Sequence, residues 1–186
     1  MARLLTWSAG NVTPKGQPSR MTCWLTAYEM LFNSGGMYAK TQYDIERILK
    51  DGGFNPGTSK DIGISDEDFV QVSEILGTGT LLPGQLGSIG GLSRNLNNYG
   101  VLWIALQIPI NPKKLDGPRY RHIVIIVGVD EERSQVGIIN PWKQNPADIP
   151  CVVWLDWSWF RDCVRLNESV DAGCQYFKKQ TARAGA

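Results

Sequence analysis

Histidine is almost missing from this chain. Its 186 residues include one, His122. Metal sites built from several histidines are therefore excluded, and any chemistry that needs an imidazole must use this residue. Excess charge is missing too: 19 Lys and Arg face 18 Asp and Glu, for a net charge of +1. That balance removes the electrostatic case for binding nucleic acid or an anionic membrane surface. No run of about twenty apolar residues occurs, so no membrane span is expected. The leading MARLLTWSAGNVT has neither a long apolar core nor a small-residue cleavage site, so no signal peptide is expected. Cys23, Cys151, Cys163 and Cys174 include no pair at two-residue spacing, which argues against a zinc knuckle or a dithiol redox motif. Their even number permits disulfides, but free thiols in a reducing compartment are the plainer expectation. No metal and no cofactor is expected.

Large core formers are plentiful. Seven Trp, six Tyr and five Phe argue against disorder for most of the chain. The length suits a single domain over residues 1–186, one able to bury roughly 70% of its unfolded surface. Residues 1–20 are rich in Gly, Pro, Ser and Lys and read as an extended leading segment. Helical spacing of apolar residues predicts a helix over 22–34, stopped by Gly35-Gly36. Thr41 with Asp44, and Ser65 with Asp68, have the spacing of helix-capping pairs, predicting helices over 41–50 and 66–76. The glycine-rich stretch 77–91 reads as loop, followed by a short helix over 92–98. Beyond Gly100 the pattern changes. VLWIALQI, HIVIIVGV, SQVGIIN and CVVWL are short apolar runs bounded by turn residues, the signature of strands. A last helix is predicted over 156–163. The fold class is α+β: a helical half over roughly 1–99, an antiparallel sheet half over 100–177, and a polar tail over 178–186 expected to fray.

Cys23 falls in the first turn of the first helix. The partial positive charge of a helix N-terminus favours a thiolate, and its free amides can donate to a developing oxyanion. Position alone is weak evidence, because a packed thiol reads the same way. His122 opens an apolar strand, where a lone histidine is usually a hydrogen-bonded core residue. The polar segment 130–134 then turns the chain into a second strand. A hairpin centred near Glu131 would place His122 directly opposite Asn140, on one face of the sheet, so that the amide could orient the imidazole. Trp142 lies two residues beyond Asn140, where it could cover their hydrogen bond. Gln17 lies six residues before Cys23, within reach of the helix start.

Taken in order, Gln17, Cys23-Trp24, His122 and Asn140-Pro141-Trp142 resemble the site residues of papain-like cysteine proteases. The resemblance implies a nucleophilic Cys23, His122 as base, Asn140 to orient it, Gln17 as an oxyanion donor and Trp142 as a shield over the His–Asn bond. It also implies an active-site cleft between the helical and sheet halves. Two departures stand out. Arg20-Met21-Thr22-Cys23-Trp24 matches only the last two positions of the plant and lysosomal Cys-Gly-Ser/Ala-Cys-Trp/Tyr signature, so the upstream disulfide cysteine is missing. Arg121 precedes the histidine, where an acidic or amide residue is common. QPSRMTCW, HIVIIVGVD and INPW are similar to the secreted papain-like effectors of plant-pathogenic bacteria.

That branch implies hydrolysis of a protein substrate by a bacterial effector or interbacterial toxin. Delivery would be by a specialised secretion system or as part of a larger toxin, with action in a target-cell cytoplasm. A cognate immunity or inhibitor protein is the expected further partner, with no nucleic acid and no membrane. Two other readings stay open. One is a cell-wall peptide amidase or a deamidase with the same three residues. The other is a non-catalytic binding domain on a papain-like fold.

Overall fold

The computed structural model describes residues 5–7, 12–35, 39–57, 63–110, 117–142, 150–165 and 172–178. The helical half includes α1 over Cys23–Asn33, α2 over Gln42–Asp51 and α3 over Asp66–Leu76. Local chemistry sets the starts of α2 and α3. The Thr41 hydroxyl accepts from the Asp44 backbone N–H, while the Asp44 carboxylate accepts from the Thr41 N–H; Ser65 and Asp68 repeat the arrangement. Such caps are each worth about 1 kcal/mol. Gly77 ends α3 in the left-handed conformation, at φ +67°.

The stretch 77–91 is not all loop. It holds a two-residue strand, β2 (Gly79–Thr80), a 3₁₀ turn over Pro83–Leu86 and the first residues of α4 (Ile89–Tyr99). The helix expected over 92–98 thus starts three residues earlier, its opening turn hidden from a propensity reading by two glycines. Ser88 caps it by accepting from the Gly91 N–H. A Cβ on Gly91 would lie 3.0 Å from the Gln85 carbonyl, so glycine lets the 3₁₀ turn pack against the helix start.

The remaining elements are mostly strands. The leading segment contributes β1 (Leu5–Trp7). Then come β3 (Leu102–Pro109), β4 (Arg119–Asp130), β5 (Gln135–Ile139), β6 (Val152–Asp156), α5 (Trp157–Arg165) and β7 (Cys174–Tyr176). They build a seven-stranded antiparallel sheet in the order β2-β7-β3-β4-β5-β6, with β1 paired to Gly128–Asp130 of β4. The expected frayed tail, apart from the exposed Lys178, lies outside the described residues.

Both faces of the central strands are covered. Trp103, Ala105, Ile123 and Ile125 pack against α1, α2 and α3 through Trp24, Tyr28, Leu31, Leu49 and Phe69. The alternate residues Ile104, Leu106, Val124 and Ile126 pack against Leu92, Leu96 and Phe160 of α4 and α5. This explains why β3 and β4 read as unbroken apolar runs rather than as alternating ones. Trp103 bolts the sheet to α1. Its ring stacks on Tyr28 at 5.0 Å and meets Phe69 edge-on at 5.3 Å, and its indole N–H donates to the Trp24 carbonyl at 3.2 Å.

The register of the β4–β5 hairpin departs from expectation. Asp130 pairs with Gln135 around a four-residue turn, and a bulge follows between Ile126 and Gly128, leaving Ile125 opposite Ile139. Continued one step, that register sets Asn140 against Val124, two residues from His122. A shift of two keeps the side chains on one face, whereas a shift of one would have separated them.

Candidate active site

Cys23 is the first residue of α1, and this helix start differs from the others. The side chains of Thr41, Ser65 and Ser88 cap their helices, but Thr22 does not cap α1. Its hydroxyl instead donates to the Ser19 carbonyl at 3.0 Å. The first turn also carries no acidic residue, while α3 begins with Asp66, Glu67 and Asp68. The first intrahelical bond runs from Thr26 N–H to the Thr22 carbonyl. An uncapped, acid-free helix start keeps its amides available and its dipole unopposed at the thiol. The Cys23 thiol is half-buried and lies within hydrogen-bond reach of the backbone N–H of Ile123, the residue after His122.

His122 is buried on β4. Its Nε2 lies 2.6 Å from Asn140 Oδ1, and the same oxygen accepts from the Trp142 backbone N–H at 2.9 Å. Two groups converge on one amide atom, and one of them is an obligate donor. That atom is therefore the oxygen, and Nε2 must carry the hydrogen it shares. The neutral imidazole then has Nδ1 as its proton acceptor. Cys23 and His122 line one cleft of about 860 Å³ together with Met21, Ile64, Ile110, Tyr120 and Trp142. A half-buried thiol and a buried, tautomer-fixed imidazole lining one cleft have the chemistry that a nucleophile–base pair requires.

Residues 8–152 match the family described as papain-like cysteine protease AvrRpt2. The chain belongs to this family of papain-like cysteine peptidases, a bacterial effector family. A search of curated proteins found no match. Both halves of the peptidase line the cleft: the start of α1 and the loop before α3 from the helical half, β4 and Trp142 from the sheet half.

Burial shapes the titration of both central groups. It pushes the Cys23 thiol up, against the pull of the Ile123, Trp24 and Cys23 backbone N–H groups. It pushes His122 down, and the bond to Asn140 acts in the opposite direction. Each charge alone is disfavoured by desolvation; transfer of one proton between the two groups would create both charges together.

The other expected site residues reach the peptidase's cleft region by different means. Gln17 is buried close to the helix start, but its amide hydrogens are committed: Nε2 donates to the Ser19 carbonyl at 2.7 Å and to the Arg20 carbonyl at 2.9 Å. Its Oε1 is buried without a partner. In this arrangement Gln17 clamps the turn leading into Cys23. The Trp142 ring is 45% exposed on the cleft wall, and its contribution to the His–Asn pair is the backbone N–H already described. The ring beside the imidazole is that of Tyr120, with centroids 6.2 Å apart. Sequence reading missed Tyr120; its place two residues before His122, on the same strand face, was the available signal.

Arg121 does not direct its charge at His122. It pairs with Asp66 Oδ2 at 2.5 Å and lies over the Phe69 ring at 5.6 Å. All four cysteines are free; Cys151 is exposed, and Cys163 is pushed up to about 11, chiefly by burial. Among the described residues, no cluster of three His, Cys, Asp or Glu could hold a metal ion, and no helix is long and apolar enough to cross a membrane.

Proposed function

We propose that this papain-like peptidase cleaves peptide bonds of a protein substrate through Cys23, His122 and Asn140. The observation that carries the reading is the Asn140 oxygen, which accepts from both His122 Nε2 and Trp142 N–H and so leaves Nδ1 as the base. The Cys23 thiol passes its proton to Nδ1, and the thiolate attacks the substrate carbonyl carbon. The first-turn amides of α1 receive the resulting oxyanion. The tetrahedral intermediate collapses, His122 protonates the leaving amine, and the acyl group stays on sulfur. Water then attacks the thioester, giving its proton to His122, and the acid leaves with Cys23 restored. Gln17 could add a second oxyanion donor only after its amide turns away from the Ser19 and Arg20 carbonyls. Membership of an effector family supports action in a target-cell cytoplasm after export, with a cognate inhibitor protein restraining the enzyme in the producing cell.

The test compares new protein N-termini in a proteome exposed to wild type or to Cys23→Ala. A set of cleavages present only with wild type supports the reading. Identical N-termini with both, or glutamine-to-glutamate conversion without chain cleavage, refutes it in favour of a binding domain or a deamidase respectively.

A further inference from the structure

We propose that Lys15 and Glu29 are positioning residues for the Cys23–His122–Asn140 set: their ion pair ties the nucleophile helix to the loop that carries Asn140. This rests on the protease reading above.

Glu29 is a charged residue, 6% exposed, on the packed face of α1. Its carboxylate is fully engaged. Lys15 Nζ donates to Oε1 at 2.5 Å and Gln42 Nε2 to Oε2 at 3.0 Å, and the same Gln42 amide reaches Thr26 Oγ1 at 3.3 Å. Lys15 is held to α1 a second time, through its backbone N–H and the Met30 sulfur at 3.4 Å. Two residues later the backbone N–H of Gln17 donates to the Pro141 carbonyl at 2.8 Å. Pro141 directly follows Asn140. The Gln17 side chain then grips the Ser19 and Arg20 carbonyls, in the turn entering Cys23.

A six-residue strap is thus bonded to α1, to the loop after β5 and to the approach to Cys23. It joins the two elements whose separation sets the distance between thiol and imidazole. Glu29 is buried but the Lys15 side chain is 38% exposed, and a pair that is partly in water is a poor source of stability. Its directional bonds fix a position instead. If the strap loosens at Lys15, Pro141 loses its anchor and the Asn140 oxygen drifts from Nε2. A misplacement of about 1 Å is enough to cost roughly 100-fold in such a constellation.

The single histidine and the exposed Cys151 make the test clean. Full-length wild type, Lys15→Met, Lys15→Arg and Glu29→Gln are treated with iodoacetamide well below their melting temperatures. Alkylation of Cys23 and of Cys151 is followed by mass spectrometry, and the His122 Nε2–H resonance by NMR. Wild-type Cys23 should outpace Cys151. Lys15→Met and Glu29→Gln should slow Cys23 roughly tenfold, part of that 100-fold penalty, without changing Cys151, and should shift the imidazole resonance. Lys15→Arg, which keeps the ion pair, should stay close to wild type. If Lys15→Met does not fold, Glu29→Gln carries the test: it keeps the side-chain volume but loses the charge, and its amide NH2 must face one of the two donors, Lys15 or Gln42, which loosens the strap. Folded variants with the wild-type Cys23 rate and imidazole resonance overturn the proposal. A wild-type Cys23 no faster than Cys151 overturns the protease reading itself.

Discussion

Replacing Asn140 by alanine tests the site where its geometry is most specific. The substitution removes one acceptor that serves two donors, His122 Nε2 at 2.6 Å and Trp142 N–H at 2.9 Å. His122 is 5% exposed, so water does not readily replace the lost partner. A buried donor left unpaired costs about 1–3 kcal/mol, and the Trp142 bond is worth about 1 kcal/mol more. A stability loss of roughly 2–4 kcal/mol follows, which a denaturant titration reads directly. The catalytic loss has a separate origin. Without the amide oxygen, the imidazole can carry its proton on Nδ1, the atom required as base. If the bond favours the working tautomer by about 1.5–3 kcal/mol, its removal lowers the ratio of working to idle tautomer roughly 10- to 100-fold and leaves a mixture of the two. His122→Ala removes the base altogether and should be worse. The assays are the rate of Cys23 alkylation by iodoacetamide and the imidazole nitrogen shifts of the lone histidine. Asn140→Ala should show mixed tautomers and an intermediate rate. An unchanged tautomer with an unchanged rate would refute the assignment of Asn140. A loss greater than that of His122→Ala would place the orienting group elsewhere.

Two further outcomes follow from the same geometry. Burial lowers the folded-state pKa of His122 below its ordinary 6.5, so the unfolded chain binds the proton more readily. The corresponding stability is fully present above about 6.5 and is lost as pH falls through the lower, folded value. Melting temperature should therefore fall more steeply on acidification in wild type than in His122→Gln; equal slopes would contradict it. Gln17→Ala frees the Ser19 and Arg20 carbonyls and removes a buried orphan oxygen. If Gln17 turns to serve the oxyanion, cleavage should drop about 100- to 1000-fold with Cys23 alkylation little changed. Loss of alkylation to the same degree would show that Gln17 acts only as the clamp on the turn.

Local chemistry was legible in the sequence. Thr41 with Asp44 and Ser65 with Asp68 marked two helix starts, because a capping box is complete within four residues. The apolar runs of β3 and β4 marked strands. Cys23 at a helix start and His122 on a strand were also readable, since each depends on its own segment. The short strands β1, β2 and β7 were not, because two or three residues carry no periodicity and exist only through their partners. The α4 start was masked by Gly90-Gly91, whose low propensity is offset by the Ser88 cap and the neighbouring 3₁₀ turn.

The sequence by itself determined which residue types were available: one imidazole, one thiol at a helix start and one amide at the end of a strand. It could not settle whether His122 and Asn140 share a face, because strand side chains alternate with a period of two and a one-residue change of register separates them. Tertiary structure decided everything that depends on distance between segments. The turn register, continued, would set Asn140 against Ile125; the bulge near Val127 shifts it by one residue to Val124 and so returns Asn140 to the face of His122. The pairing of Arg121 with Asp66, 55 positions away, made the cation that precedes His122 a tie between the two halves. The direction of the Gln17 amide was set by the Ser19 and Arg20 carbonyls rather than by the cleft. These outcomes rest on contacts between residues whose spacing along the chain carries no information about their separation in space.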